Sequence, residues 1–291
     1  MTEERRKEIV RILKSREKPI VGSELAKRFN VSRQVIVQDI AVLRARGLNI
    51  ISTSNGYFIA EAKDEGKNIV TVVCSHFGYD AMMKELSIMI EMGAKVIGCS
   101  EQGHSIQGLE LPIYEEKPIF TDEEWNRLIK GYNRLAELAE EKGMKVSLHH
   151  HMGTGIQTPE EIDRFMESTE DNVYLLFDTG HIYFSEGKQE AVDNLIDKYI
   201  DRIVHIHLKD VRREVLERVK AERWSFLKSV REGVFTVPGD GIINFDHVFD
   251  VIGKSGFEGW LVVEAEQDPA IANPFEYAIK ARKFIREKTG L

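Results

Sequence analysis

The sequence predicts an α/β fold: an incomplete (β/α) TIM-type barrel of about six parallel strands, preceded by an N-terminal winged helix-turn-helix domain. Three observations predict it. From residue 69 onward, short apolar runs alternate with amphipathic stretches, the pattern of parallel βα units. Several of those runs turn polar at their C-terminal ends, where parallel α/β folds hold their ligands. Residues 1–62 carry three helical stretches and a hairpin signal, and their charge is opposite in sign to the rest.

At 291 residues and 42% hydrophobic content the chain can bury a sizeable core. No apolar run approaches the roughly 20 residues that span a membrane, and the charged N-terminus is not a signal peptide. A cytoplasmic protein with no membrane partner is expected. Cys74 and Cys99 are too few for a disulfide framework or a thiolate metal site and read as small buried hydrophobes. Residues 1–50 hold 12 Lys/Arg against 6 Asp/Glu, and the whole chain has a net charge of −8, which leaves −14 for residues 51–291. A basic head on an acidic body argues for two domains, 1–62 and 69–291, with any nucleic-acid contact confined to the head.

In the head, Thr2 to Ser15 has helical spacing, with Ile9, Val10, Ile12 and Leu13 on one side. A second helix begins at Ser23 as N-cap and runs to Phe29. Ser32 caps a third, from Arg33 to Arg46, which Gly47 stops. Asn49-Ile-Ile-Ser-Thr and Tyr57-Phe-Ile-Ala then flank Ser54-Asn55-Gly56, a two-strand hairpin signal. In a winged helix-turn-helix the start of the third helix enters the major groove, so Ser32, Arg33, Gln34 and Gln38 are the expected DNA-binding residues. Duplex DNA is the expected partner, bound by a homodimer.

In the body, strands are expected at 69–74, 94–100, 145–151, 173–178, 203–208 and 260–266. Helices are expected at roughly 80–92, 121–142, 158–168, 188–200, 212–231, 244–255 and 274–288. Six strands fall short of the eight of a closed barrel. Four strand ends carry chemistry: Lys145-Val-Ser-Leu-His-His-His151, Val173-Tyr-Leu-Leu-Phe-Asp178, Ile203-Val-His-Ile-His-Leu208 and Trp260-Leu-Val-Val-Glu-Ala-Glu266. Side chains alternate along a strand, so His149 and His151 share a face while His150 points away. Delivering His, Asp, His and Glu to one end of a sheet suits a metal site. A lone His150 or His205 reads instead as a hydrogen-bonded core group. Val237-Pro-Gly-Asp-Gly241 is glycine-rich but lacks a following lysine, so it is not a P-loop.

Several of these stretches also resemble known families. Val31-Ser-Arg-Gln-Val-Ile-Val-Gln-Asp-Ile-Ala-Val-Leu-Arg-Ala-Arg-Gly47 and Gly56-Tyr57 resemble the winged-helix head of bacterial repressors of NAD and niacin biosynthesis genes. Ile69 to His76, with Lys84-Glu85-Leu86, resembles the opening of that family's three-histidine sensor domain, but the likeness stops after Ile97. From about Met92 the chain resembles the inosose dehydratases of the xylose-isomerase-like barrel superfamily. The likeness rests on Glu101-Gln-Gly-His-Ser-Ile-Gln-Gly108, His149-His-His-Met-Gly-Thr-Gly155, Phe177-Asp-Thr-Gly-His181, Val204-His-Ile-His-Leu-Lys-Asp-Val211, Val237-Pro-Gly-Asp-Gly241 and Gly259-Trp-Leu-Val-Val-Glu-Ala-Glu-Gln-Asp-Pro269. The family's first two βα units are absent, and the head stands in their place.

That resemblance implies metal ligands His149, Asp178, His207 and Glu264. It also implies substrate contacts from Glu101, Gln102 and Asp240. The implied reaction is metal-dependent removal of water from 2-keto-myo-inositol, an inosose. Imidazole and carboxylate together suit manganese or cobalt better than magnesium. Acid–base candidates are His151, His181, Lys209 and Glu266, three of them set on the metal-facing side by two-residue spacing. The expectation is a dehydratase-like lyase fused to a DNA-binding head, its turnover weakened by the missing barrel units. The alternatives are a repressor that uses the barrel remnant as a ligand sensor, or a recombination product without native function.

Overall fold

The computed structural model describes residues 2–14, 20–45, 48, 50–53, 56–59 and 94–290. The expected strand at 69–74 and helix at 80–92, with Cys74, His76 and Lys84-Glu85-Leu86, lie outside the described residues, as do Gly47 and the turn residues Ser54 and Asn55. The chain divides into two compact units, residues 1–75 and 76–291.

In the first unit, helices α1 (Thr2–Lys14), α2 (Gly22–Arg28) and α3 (Arg33–Ala45) precede an antiparallel pair, β1 (Ile50–Thr53) and β2 (Gly56–Ile59). Ile9, Leu13, Ile20, Leu25, Ile36, Ile40 and Ile50 form its core. Buried Asp39 accepts hydrogen bonds from Arg5 Nε at 2.6 Å and Arg6 Nε at 2.9 Å, tying α3 to α1. Ser32 caps α3, its Oγ accepting from Val35 N at 3.4 Å. The start of α2 differs from the expected Ser23. The chain around Ile20 is extended because it pairs with Tyr57, N to O at 2.9 Å and O to N at 2.8 Å, and it turns directly into the helix at Val21. Gly56 is obligatory in that pairing, since its φ is +120° and a Cβ there would stand 2.1 Å from the Ile20 carbonyl oxygen.

Among its described residues the second unit is built on a five-stranded parallel sheet whose spatial order follows the sequence: β3 (Val96–Cys99), β4 (Lys145–His149), β5 (Val173–Asp178), β6 (Ile203–Leu208) and β9 (Trp260–Val263). These correspond to five of the six expected strands. Helices α4 (Asp122–Glu140) and α5 (Pro159–Ser168) open on capping boxes, Thr121 with Glu124 and Thr158 with Glu161, each satisfying otherwise orphaned N–H groups. Their apolar faces bury Trp125, Tyr132, Ile162 and Phe165 in a core with Val146, Leu148, Leu175, Phe177 and Ile206. Helices α7 (Gln189–Tyr199), α10 (Asp246–Ser255) and α11 (Pro274–Thr289) correspond to three more of the expected helices.

Three features depart from expectation. Helix α6 (Thr179–Glu186) follows β5 with no loop; residues 179–185 are all buried, so it has no polar face to betray a helical period. The single helix expected over 212–231 is two, α8 (Arg213–Glu222) and α9 (Phe226–Arg231). Arg223 takes a left-handed φ of 55°, which lets Trp224 bury itself, and Ser225 caps the second helix. A short antiparallel ribbon of β7 (Asp210–Val211) and β8 (Phe235–Thr236) sits beyond β6. No helix among the described residues is long and apolar enough to cross a membrane.

Candidate active site

The polar residues converge because their strands are parallel neighbours in matched register. Asp178 is the Cα partner of His207, and Leu176, two residues before Asp178, is the partner of His149. Glu264 follows the end of β9, its N–H donating to Leu208 O at 3.2 Å. Asp178, wholly buried, is also the N-cap of α6, and its Oδ1 accepts the His181 N–H at 2.9 Å.

Its other oxygen is the hub. Asp178 Oδ2 lies 3.4 Å from His149 Nε2, 3.3 Å from His207 Nδ1, 3.4 Å from Lys209 Nζ and 3.9 Å from His181 Nε2. Glu264 Oε2 stands 2.9 Å from His207 Nδ1 and 2.8 Å from Lys209 Nζ, yet this buried oxygen has no hydrogen bond of ordinary geometry. Lys209, fully buried, also reaches Glu266 Oε2 at 3.0 Å and His181 Nε2 at 3.1 Å. The rings of His151 and His181 lie 3.6 Å apart at 42°, and Gln107 Nε2 is 2.5 Å from His151 Nδ1. Phe226 and Phe235 wall this side of the cluster, 5.3 Å from the His151 ring and 5.1 Å from the His181 ring.

Burial keeps four imidazoles neutral: His149 and His181 are pushed down, and His150 and His151 fall to about 3. Burial opposes the charge of His207 as well, but hydrogen bonds and the charges of Asp178 and Glu264 outweigh it and raise that imidazole to about 9. Burial alone would raise Asp178; the Lys209 charge and hydrogen bonds to His149 and His207 hold it well below the usual carboxylate range. Against its own desolvation, Glu264 is brought to about 2 by the close His207 imidazole and the Lys209 charge. Desolvation raises Glu266.

His149, Asp178, His207 and Glu264 therefore stand together around one carboxylate oxygen. Asp178, His207 and Glu264 each offer a ligand atom within 4.8 Å of the others, and so do His149, Asp178 and His181. Ionised carboxylates, a neutral His149 and an oxygen without a good hydrogen bond form a donor set that suits a divalent cation, whose binding would release the His207 proton.

The other sequence candidates are placed as follows. His150 points away from the cluster, and its Nε2 accepts the Asp178 N–H at 3.2 Å, which makes it a structural group. Glu101 joins two loops: Oε1 accepts from Gly103 N and His104 N, and Oε2 from Gly155 N at 3.4 Å. Gln102 Nε2 donates to Ser100 Oγ at 3.3 Å. Asp240 is paired with Arg212 Nη2 at 3.0 Å, with Thr236 Oγ1 at 2.6 Å and with Lys280. Ser32, just before α3, and Arg33, Gln34 and Gln38 on it are exposed.

Sequence reasoning passed over Gln107 and Asp210. Gln107 lies in the quoted stretch from Glu101 to Gly108, but nothing local pairs it with His151. Asp210 accepts four backbone N–H groups, from Val211, Gly239, Gly241 and Ile243, at 2.8 to 3.1 Å, and so shapes the Pro-Gly loop. Its signal was the carboxylate next to Lys209, three residues before the start of α8.

Residues 24–288 match the family described as xylose isomerase-like TIM barrel. The match begins inside α2, within the stretch that the sequence reading gave to the head. An inosose dehydratase of Glaesserella parasuis is 55% identical over 258 residues, covering 87% of this chain and 83% of that protein. Inosose dehydratases of Yersinia enterocolitica and Geobacillus thermodenitrificans are 52% and 50% identical, each covering 93% of this chain and 86% of their own length. Among solved structures, an IOLI protein with a binding zinc atom is similar at a TM-score of 0.51 and 19% identity, over 72% of this chain and 69% of that one. An L-ribulose 3-epimerase is similar at 0.50 and 19%, over 72% and 66%. Those two likenesses speak for the fold alone.

Proposed function

The chain belongs to the xylose isomerase-like TIM barrel family, its inosose dehydratase relatives make it a dehydratase-type lyase, and we propose that it removes water from 2-keto-myo-inositol with the help of a divalent metal. The observation that carries this reading is the shared Asp178 Oδ2, with His149 and His207 within 3.4 Å of it.

The reaction needs a proton taken from the carbon next to a ketone and a hydroxyl lost from the carbon beyond. His149, Asp178, His207 and Glu264 would hold the metal, and imidazole with carboxylate favours manganese or cobalt. When bound, such an ion supplies Lewis-acid stabilisation of the charge that develops beside the ketone. The chain's own groups handle the protons. His151 and His181 are neutral and can accept one. Lys209 is held as an ammonium by the charges of Asp178, Glu266 and Glu264, against its desolvation, and can hydrogen-bond or protonate the departing hydroxyl. Glu266, 3.0 Å from Lys209 Nζ, fixes that ammonium's direction. Phe226 and Phe235 exclude water from the imidazole pair. Glu101, Gln102 and Asp240 are the proposed substrate contacts; Glu101 and Asp240 already order the loops on which they sit.

The purified full chain, loaded with manganese or cobalt, is expected to convert 2-keto-myo-inositol to the unsaturated product, and Asp178→Asn to lose that activity. No conversion with any divalent metal overturns the reading. The expectation of weakened turnover rests on the short sheet, five parallel strands among the described residues. Assay beside a full-length dehydratase measures it.

A second reading concerns residues 1–62. Three helices, an antiparallel hairpin and the exposed Ser32, just before α3, with Arg33, Gln34 and Gln38 on it, support a winged helix-turn-helix that binds duplex DNA as a homodimer, as in the NAD and niacin repressors it resembles. In that reading the barrel serves as the sensor, and inosose should change the affinity for DNA.

A further inference from the structure

Seven side chains able to ligate a metal crowd the strand ends, which is more than one ion needs. Beside Asp178, His207 and Glu264, a separate trio that shares no residue with them, His151, His181 and Glu266, also offers three ligand atoms within 4.8 Å of one another. His181 Nδ1 is buried without a hydrogen-bond partner. Composition alone would allow two cations.

A fixed cation already stands between the two groups. Lys209 Nζ is 3.1 Å from His181 Nε2 and 3.0 Å from Glu266 Oε2 on one side, and 2.8 Å from Glu264 Oε2 and 3.4 Å from Asp178 Oδ2 on the other. Its stem cannot swing away. A Cβ on Gly180 would stand 2.5 Å from Lys209 Cγ, so the stem lies against bare glycine backbone, and Nζ sits 4.7 Å from the centre of the Phe235 ring. The backbone is pinned as well: Lys209 N–H donates to Thr179 Oγ1 at 2.9 Å, and that hydroxyl donates to Lys209 O at 2.7 Å.

We propose that Lys209 is a built-in second cation, which occupies two of the three ligands of the His151–His181–Glu266 trio, His181 and Glu266, and so confines the cluster to a single divalent ion. A divalent ion in that trio would face the ammonium with little screening and with one carboxylate, Glu266, to offset the repulsion, whereas Asp178 and Glu264 supply two carboxylates to the other group. The proposal rests on the metal reading of the Asp178 group given above.

The test is metal stoichiometry in the full chain. Wild type and Lys209→Met are equilibrated with excess Mn²⁺, desalted and analysed by elemental mass spectrometry, with electron paramagnetic resonance to detect spin-coupled ion pairs. Wild type should hold one ion per chain, Lys209→Met two, and Lys209→Met/His151→Ala one again. Two ions in wild type, or one in a folded Lys209→Met, overturns the proposal while leaving the metal reading intact. No ion in either protein overturns the metal reading and this inference with it. Should Lys209→Met fail to fold by circular dichroism, Lys209→Gln, which keeps a polar end without the charge, replaces it with the same expected count.

Discussion

Asp210 and Gly241 are in closer contact than any other side chain at this position would allow. Asp210 Oδ2 accepts the Gly241 N–H at 3.0 Å, and a Cβ on Gly241 would stand 2.4 Å from Asp210 Oδ1 and 2.5 Å from Val211 O. The carboxylate serves as a template around which the chain from Gly239 to Ile243 is wrapped.

Gly241→Ala must therefore move the loop or the carboxylate. Overpacking of this kind costs about 1–3 kcal/mol, and denaturant unfolding should show it. Asp210→Ala should cost at least as much, since it strands four backbone donors. An unsatisfied buried group costs about 1–3 kcal/mol. A midpoint unchanged in both variants would show that the loop holds itself without the template.

Removing the metal should lower thermal stability. An ion that binds only the folded chain at a free concentration of 100 times its Kd adds about 2.7 kcal/mol, so a chelator should shift the melting temperature down by several degrees. Asp178→Asn/Glu264→Gln should bind little metal and show no chelator shift. Equal metal content in wild type and this variant would remove the site.

The legibility of fold and site divides along the line between local and non-local signals. Apolar runs that end in a polar residue located five of the strands, because their residues declare themselves one after another. The strand ends that carry His149, Asp178, His207 and Glu264 were legible in the same runs, but the choice of these four over His151, His205 and Glu266 came from the family resemblance, since alternation leaves two candidates on the same face of a strand. Helix α6 was not, since burial on every side erased its period. The break at Arg223 was not, because the cause is the burial of Trp224, whose backbone carbonyl accepts from distant Ile113 at 3.0 Å. The partnership of Asp210 with Gly241 spans 31 residues, and only the folded chain brings the two together.

Stability should also fall in acid through Asp240. Burial works to raise this carboxyl, but bonds from Lys280 and Thr236 and the charges of Lys280 and Arg212 win and lower it. Its folded pKa thus lies below the unfolded value of about 3.9. The contribution is complete above that value and is lost as pH falls through the folded pKa. Asp240→Asn should be less stable than wild type at pH 6, and the gap should narrow below about pH 4. Urea titrations across that range read the difference. A constant gap would mean that the ion pairs with Lys280 and Arg212 contribute nothing.

The last prediction concerns the head. Arg33 is the first residue of α3, exposed just after the Ser32 cap, at the end of the helix whose backbone N–H groups and dipole favour a phosphate. If α3 is the recognition helix of a dimer, each Arg33 neutralises a phosphate or reads a guanine edge. Losing a phosphate contact should weaken binding to any duplex and reduce the slope of log K against log salt by about 1 per contact. Losing a base contact should leave that slope alone and relax the preference for one sequence by about 1–3 kcal/mol. Arg33→Ala measured by fluorescence anisotropy at several salt concentrations, on a niacin-type operator and on unrelated duplex, distinguishes the two. Affinity unchanged on both duplexes would mean that α3 is not the element that meets DNA.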